Sequence, residues 1–399
     1  MDSLFIGRFS GRALTALSVI APVQMVITAI AAGTGVGVNT LMARQLAENK
    51  LKEADKTAGM GMLLALFSWL AFTLFSIFFL PIYINMAAND PLAVTYSKVY
   101  GYIVCIGSIG IFLESCWTKV HQASGNMKLP MIAQIAGAVV NIILDPLLIF
   151  SLNLGIAGAA IATVAGQVIA AVIIRRGFRK SPLASELKSI AKQIYRLGYP
   201  SILLQLLYPV YVVIFNIILS GFSDAATTVL GLYYKLQSFF FIPVLGLQSC
   251  IVPVLSYNYA GKKYTRCRQT VRYSLLIAAV FMFVGILCFE CFPLQLIGLF
   301  SKEAEVMKIG KTAFCIIGLS FLPDVPAMIF PAFFQSIGKG KQSTALIIIR
   351  HLVCLIPIFW LMSMADLNYA WFAFPIAELV TAIVGGILYC KVVAEWKCT

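Results

Sequence analysis

The residues best able to do chemistry in this chain lie inside its apolar runs. In Asn141-Ile-Ile-Leu-Asp145 the two polar side chains are four apart and share a helical face, and Pro146 frees a backbone carbonyl beside them. The hairpin that follows turns around Asn153, eight residues beyond Asp145, and Thr163 lies ten residues past that turn. At 1.5 Å per residue both sit at similar depth, about 12 to 15 Å below the extracellular face. Asp2, eight residues before a turn near Ser10, falls at the same depth. Asp2, Asn141, Asp145 and Thr163 thus offer two carboxylates, an amide and a hydroxyl at one level. Such a set suits a hard cation, which prefers oxygen ligands. It suits a proton relay equally, because two close carboxylates cannot both ionise cheaply, and it suits plain polar contact between helices.

Ionisable residues inside apolar spans are costly and mark functional positions. The others are Glu114, Lys235, Asp324 and Glu378. Lys235 and Asp324 are expected to pair within the second half of the chain or to line a substrate cavity there, with Gln237 as a neighbouring polar candidate. Glu114 and Glu378 are expected to join helices or to line the cavity. The glycines of Gly33-Thr34-Gly35-Val36-Gly37 lie in an apolar helix, where close packing explains them better than a nucleotide loop.

These residues need elements to position them, and composition says which. Of 399 residues, 60% are hydrophobic and 12% charged, against about 25% charged in soluble domains; mean hydropathy is +0.92. That balance excludes a soluble multi-domain enzyme, a coiled coil, a disordered tail and a disulfide scaffold. The net charge of +14 comes from Lys and Arg in loops between apolar runs, which points to loops held in the cytoplasm rather than to nucleic acid. The cysteines are scattered, and Cys288 and Cys291 read as neighbours at the end of a span. His121 and His351 are far apart, so no metal other than Na⁺ is expected.

Eleven runs reach the length of about 20 residues that a bilayer needs: 13–43, 57–80, 95–117, 129–150, 155–174, 199–220, 225–256, 273–293, 309–335, 343–364 and 369–390. A twelfth, Met1 to Gly7, is a stub. With the stub as span one, the loops after the even spans and the C-terminal tail hold 23 Lys and Arg, Arg350 being counted among them, against six on the other side. The first set is therefore cytoplasmic, and Lys235 is left inside a span. A constant shift of 213 superposes Phe9 on Phe222, Thr15 on Thr228, Gln24 on Gln237, Thr57 on Thr270, Gln122 on Gln335, Gly125 on Gly338 and Lys128 on Lys341. Six spans per copy is even, so the copies are parallel repeats about an axis along the membrane normal. The expected fold is an all-α polytopic membrane protein of twelve helices in two lobes. An N-terminal lobe 1–174 and a C-terminal lobe 199–399 are joined by a basic loop 175–198. The same shift places the start of span one about 13 to 16 residues before Met1, so the first helix is expected to be truncated. It also carries Asp2, Asn141 and Asp145 onto Phe215, Cys354 and Ile358, so the second lobe holds no copy of the site.

Asp2-Ser-Leu-Phe-Ile-Gly-Arg8 with Ala13-Leu-Thr-Ala-Leu17, Asn141-Ile-Ile-Leu-Asp145-Pro146, Gly155-Ile-Ala-Gly-Ala-Ala160 and Tyr257-Asn-Tyr-Ala-Gly-Lys262 resemble the prokaryotic branch of the multidrug and toxic compound extrusion (MATE) antiporters. The resemblance covers nearly the whole chain. It implies a central cavity in a multi-pass protein of the cell membrane, without enzymatic activity. It further implies export of cationic or amphipathic small molecules against inward Na⁺ or H⁺, by a monomer with no other cofactor. It assigns the cation site to Asp2, Asn141, Asp145 and Thr163, and matches Asp324 to an acidic position of the tenth helix. Some members carry a carboxylate in helix seven where this chain offers Tyr208, itself a substrate-cavity candidate, which argues against a second-lobe Na⁺ site. The competing readings are a lipid-linked precursor flippase and a membrane-embedded enzyme. The first would call for more basic residues in the cavity, the second for clustered DDxxD acids. A major-facilitator transporter would need a basic glycine signature in 44–56, and an ATP-driven pump a Walker motif; the sequence has neither.

Overall fold

A computed structural model describes residues 5–6, 10–87, 90–175, 186–300 and 303–396. Hydrocarbon cannot hydrogen-bond a backbone, so a chain this apolar must satisfy its N–H and C=O groups internally. It does so with helices alone among the described residues: α1 Gly11–Ala47, α2 Leu51–Ala87, α3 Pro91–Gly107, α4 Ile109–Ala123, α5 Lys128–Pro146, α6 Gly155–Ile174, α7 Leu187–Ser220, α8 Asp224–Ala260, α9 Tyr264–Cys291, α10 Pro293–Gly298, α11 Ala304–Gly318, α12 Phe321–Ser336, α13 Gly340–Ile348, α14 Ile356–Ser363, α15 Leu367–Ala370 and α16 Ala373–Glu395. Wider π-helical turns extend α5 at Leu147–Ser151 and join α13 to α14 at Ile349–Leu355. Among the described residues, ten helical stretches are long and apolar enough to cross a membrane, or eleven when α11 and α12, bent by 51° at their junction, count as one. These are the eleven runs of the sequence.

The repeat is visible in the backbone. α1 and α8 are both 37 residues long and start and end at positions 213 apart, Gly11 with Asp224 and Ala47 with Ala260. Each follows an extended serine, Ser10 at φ −165° and Ser223 at φ −166°. The turns after them use positive φ at paired positions, Asn49 at 59° and Lys262 at 55°. Gly125 and Gly338, also 213 apart, both have φ +81°, a conformation that side chains with a Cβ resist.

The chain divides into two compact units, Met1–Leu206 and Leu207–Thr399. The second half of the expected loop 175–198 is helical, because α7 already begins at Leu187. The reason is the spacing of Leu187, Ile190, Ile194 and Leu197 on one face, of which Ile194 and Leu197 are buried in the first unit. There the start of α7 packs on the glycine run of α1. A Cβ on Gly37 would collide with the Ile194 carbonyl, and one on Gly198 with the Gly33 carbonyl. The run is thus a packing surface. Core clusters of the second unit are richer in aromatics, with Phe215 stacked on Phe359 at 4.1 Å and Phe289 on Phe314 at 4.9 Å.

Because the obstacle at Gly37 is backbone, it cannot rotate away. Gly37→Val should cost about 1–3 kcal/mol or more, whereas Gly246→Val, where nothing stands within 4 Å of the new Cβ, should be tolerated. Thermal unfolding of the detergent-purified variants, followed by loss of the monodisperse peak, measures the difference.

Candidate functional site

In the first unit α5 and α6 approach so closely that a Cβ on Gly137 would lie 2.6 Å from the Gly166 carbonyl oxygen, and one on Gly166 2.6 Å from that of Gly137. This contact borders a cavity of about 330 Å³ lined by Ile111, Glu114, Gln134, Gly137, Ala138, Asn141, Thr163, Gly166, Gln167 and Ala170. Two of the four expected cation-site residues, Asn141 and Thr163, therefore share one wall. The Asn141 amide nitrogen is buried and makes no hydrogen bond, while the Thr163 hydroxyl donates to Ala159 O at 3.1 Å. Asp145 lies one turn further along α5 and is completely buried, with 0% exposure. The fourth residue, Asp2, lies outside the described residues. Glu114 belongs to this same cavity. Its Oε1 accepts from the Thr118 hydroxyl at 2.8 Å and from Gln134 Nε2 at 3.2 Å, so it ties α4 to α5 and also faces the space.

In the second unit the charges arrange themselves differently from expectation. Asp324 pairs with Arg350, not with Lys235: Arg350 Nη2 stands 2.5 Å from Asp324 Oδ1. The same guanidinium donates from Nε to Glu378 Oε1 at 2.8 Å and brings Nη2 within 2.8 Å of that oxygen. The side chains of Arg350, Asp324 and Glu378 are 13%, 3% and 6% exposed, respectively. Arg350, counted with the cytoplasmic loops in the sequence, is thus inside the span Gly340–Ser363. The cause is solvation. Two carboxylates from α12 and α16 are buried here, and a guanidinium whose flat fork can serve both at once is worth far more to them than to water. Lys235 is exposed on α8. Gln237, two residues on, is half-buried.

Aromatic and imidazole groups surround the ions. His351 stacks on Tyr211 at 5.0 Å with planes 7° apart, and neither of its ring nitrogens has a hydrogen-bond partner. Tyr211 also meets Tyr208 at 5.3 Å and Tyr234 at 6.5 Å. Tyr208, the position where a helix-seven carboxylate would stand, is 40% exposed and belongs to this tyrosine group. Arg350 and His351 both lie on the π-helical turn Ile349–Leu355, a feature that recurs at functional sites.

The cluster yields a clean contrast. Arg350→Met leaves two buried carboxylates facing each other and should cost about 3–5 kcal/mol. Lys235→Met alters an exposed side chain with no ion pair among the described residues and should stay within about 0.5 kcal/mol. Denaturation midpoints in matched detergent read both, and equal loss in the two variants would show that the ion cluster carries no special weight.

Comparison with known proteins agrees with this architecture. The MatE family model matches residues 1–147 and 200–361. The multidrug export protein MepA of Staphylococcus saprophyticus is 23% identical over 385 residues, covering 93% of this chain and 84% of its own. An FAD transporter of Shewanella oneidensis is 25% identical over 399 residues, covering 96% and 87%. An outward-facing multidrug resistance MATE family transporter of the MOP superfamily superposes with a TM-score of 0.93 at 24% identity, over 100% of this chain and 92% of the other. A MOP superfamily transporter from Pyrococcus furiosus, described as having a binding pocket of reverse polarity, superposes at 0.92 with 23% identity over the same shares. With most of its length matched, this chain belongs to the MatE family and is a multi-pass membrane transporter of small molecules, not an enzyme.

Proposed function

We propose that this transporter is a secondary antiporter of the cell membrane, acting as a monomer, that exports cationic or amphipathic small molecules in exchange for H⁺ or Na⁺. The observation that carries the reading is Asp145. A carboxylate with 0% exposure within a membrane span is expensive to keep ionised. It sits one turn from Asn141, which opens with Thr163 onto a cavity. A group so placed binds a monovalent cation or a proton when the cavity admits one, and releases it when the surroundings change. Amide and hydroxyl oxygens next to a carboxylate provide ligands for Na⁺ without the fixed octahedron that Mg²⁺ demands. The names of the multidrug relatives support a cationic or amphipathic cargo. Glu114 presents a carboxylate to that same cavity, which also favours a positive cargo over an anionic one.

Asp145→Asn keeps the volume and removes the charge with which a cation must exchange. In proteoliposomes given either an Na⁺ or a pH gradient, export of a fluorescent organic cation should fall at least about tenfold while membrane level and unfolding temperature stay within error of the wild type. Full export in the variant under both gradients would remove Asp145 from the mechanism.

A further inference from the structure

The ion cluster of the second unit carries a formal charge of −1 when Asp324, Arg350 and Glu378 are all ionised. An unbalanced charge this deeply buried is far costlier than a neutral cluster, and uptake of a proton is the ordinary way for a buried site to reach neutrality. No other cation is at hand among the described residues. The titratable groups around Glu378 are Asp324 on α12, Arg350, His351 and Cys354 on the π-helical turn, Tyr211 on α7 and Tyr233 on α8. His351 cannot supply the missing charge, because neither ring nitrogen has an acceptor and Arg350 is its neighbour in sequence.

Geometry then chooses between the two carboxylates. Asp324 holds the shorter contact to the guanidinium, at 2.5 Å, and lies in the first turn of α12, where the helix dipole favours a negative charge. Glu378 is in the body of α16. Its Oε1 takes both contacts from Arg350, and its Oε2 is buried without any hydrogen bond. That is the pattern of a carboxylic acid whose carbonyl oxygen accepts and whose other oxygen carries hydrogen. We propose that the Asp324–Arg350–Glu378 cluster is a proton-binding site, with one exchangeable proton on Glu378 Oε2 taken from and returned to water. The site is separate from Asp145 and does not depend on how that residue couples transport.

Charge balance makes the proton count testable. Infrared difference spectra of the protein in nanodiscs, recorded between acid and alkaline buffer, report protonated carboxyl groups by their carbonyl band. The wild type should show a band equivalent to one proton per chain that persists in Asp145→Asn. In Glu378→Gln, whose amide oxygen can still accept from Arg350, that band should vanish. It should also vanish in Asp324→Asn, because one carboxylate opposite one guanidinium is already neutral. The second variant decides the matter if the first fails to fold. A band that survives in either variant, or a wild type with no band beyond the one that Asp145→Asn removes, would overturn the proposal.

Discussion

Hydrocarbon offers a polar group nothing to bond, and each irregular feature of this protein answers that constraint. The backbone is helical wherever it is long and apolar enough to span. Hydroxyls inside the spans turn back on their own helices: Thr28 donates to Gln24 O, Ser97 to Ala93 O, Thr163 to Ala159 O, Ser274 to Thr270 O and Thr381 to Ala377 O, each four residues earlier. A hydroxyl can be satisfied locally in this way. A charge cannot, so Asp324 and Glu378 converge on one guanidinium carried by a third element. The polar interior is therefore concentrated in a few places, and those places are where transport chemistry can occur.

The two halves solve the same packing problem differently. The shift of 213 that aligns their helix ends places Ile111 on Asp324, Gly137 on Arg350 and Ala138 on His351. Where the second half inserts an ion cluster, the first has small or apolar side chains, and the space they leave is the cavity beside Asn141 and Thr163. The first half instead carries its buried carboxylate at Asp145, eight residues past Gly137 and so about 12 Å further along α5. Its equivalent in the second half is Ile358. One repeated arrangement thus supports two polar sites at different levels of corresponding helices. A single symmetric site would have needed matching residues at both.

Much of this was legible in the amino acids, because hydropathy and helix length act locally. The eleven runs, the parallel repeat and the in-span acids Asp145, Glu114, Asp324 and Glu378 follow from spacing alone. The partner of Asp324 did not. Arg350 follows Lys339 and Lys341 closely enough to be counted with their loop, although the apolar run 343–364 contains it. The usable signal was the pair of acids: two carboxylates in spans of one lobe require a cation, and Arg350 lies in the run 343–364, between the runs 309–335 and 369–390 that carry them. His351 gave even less warning, since a lone histidine has no periodicity. The start of α7 was hidden by charge, as Lys188, Lys192 and Arg196 alternate with the apolar face that packs on α1.

The ion cluster also connects the places where the second unit departs from straight α-helix. Asp324 lies just past the 51° bend between α11 and α12, in a segment that contains Pro326 and Pro331. Arg350 and His351 lie on the π-helical turn between α13 and α14. Both are points where a helix has already given up regular bonding, so less must be broken to move them. The guanidinium holds the two points together and fastens them to α16 through Glu378. Its grip on each carboxylate depends on the charge of the other. With Glu378 neutral, Arg350 is drawn to Asp324 and the bend is held to the π-helical turn; with both acids ionised, the guanidinium is divided between them. Protonation at one buried oxygen would thereby alter how tightly two deformable points are joined, a local electrostatic change acting on elements already prepared to shift.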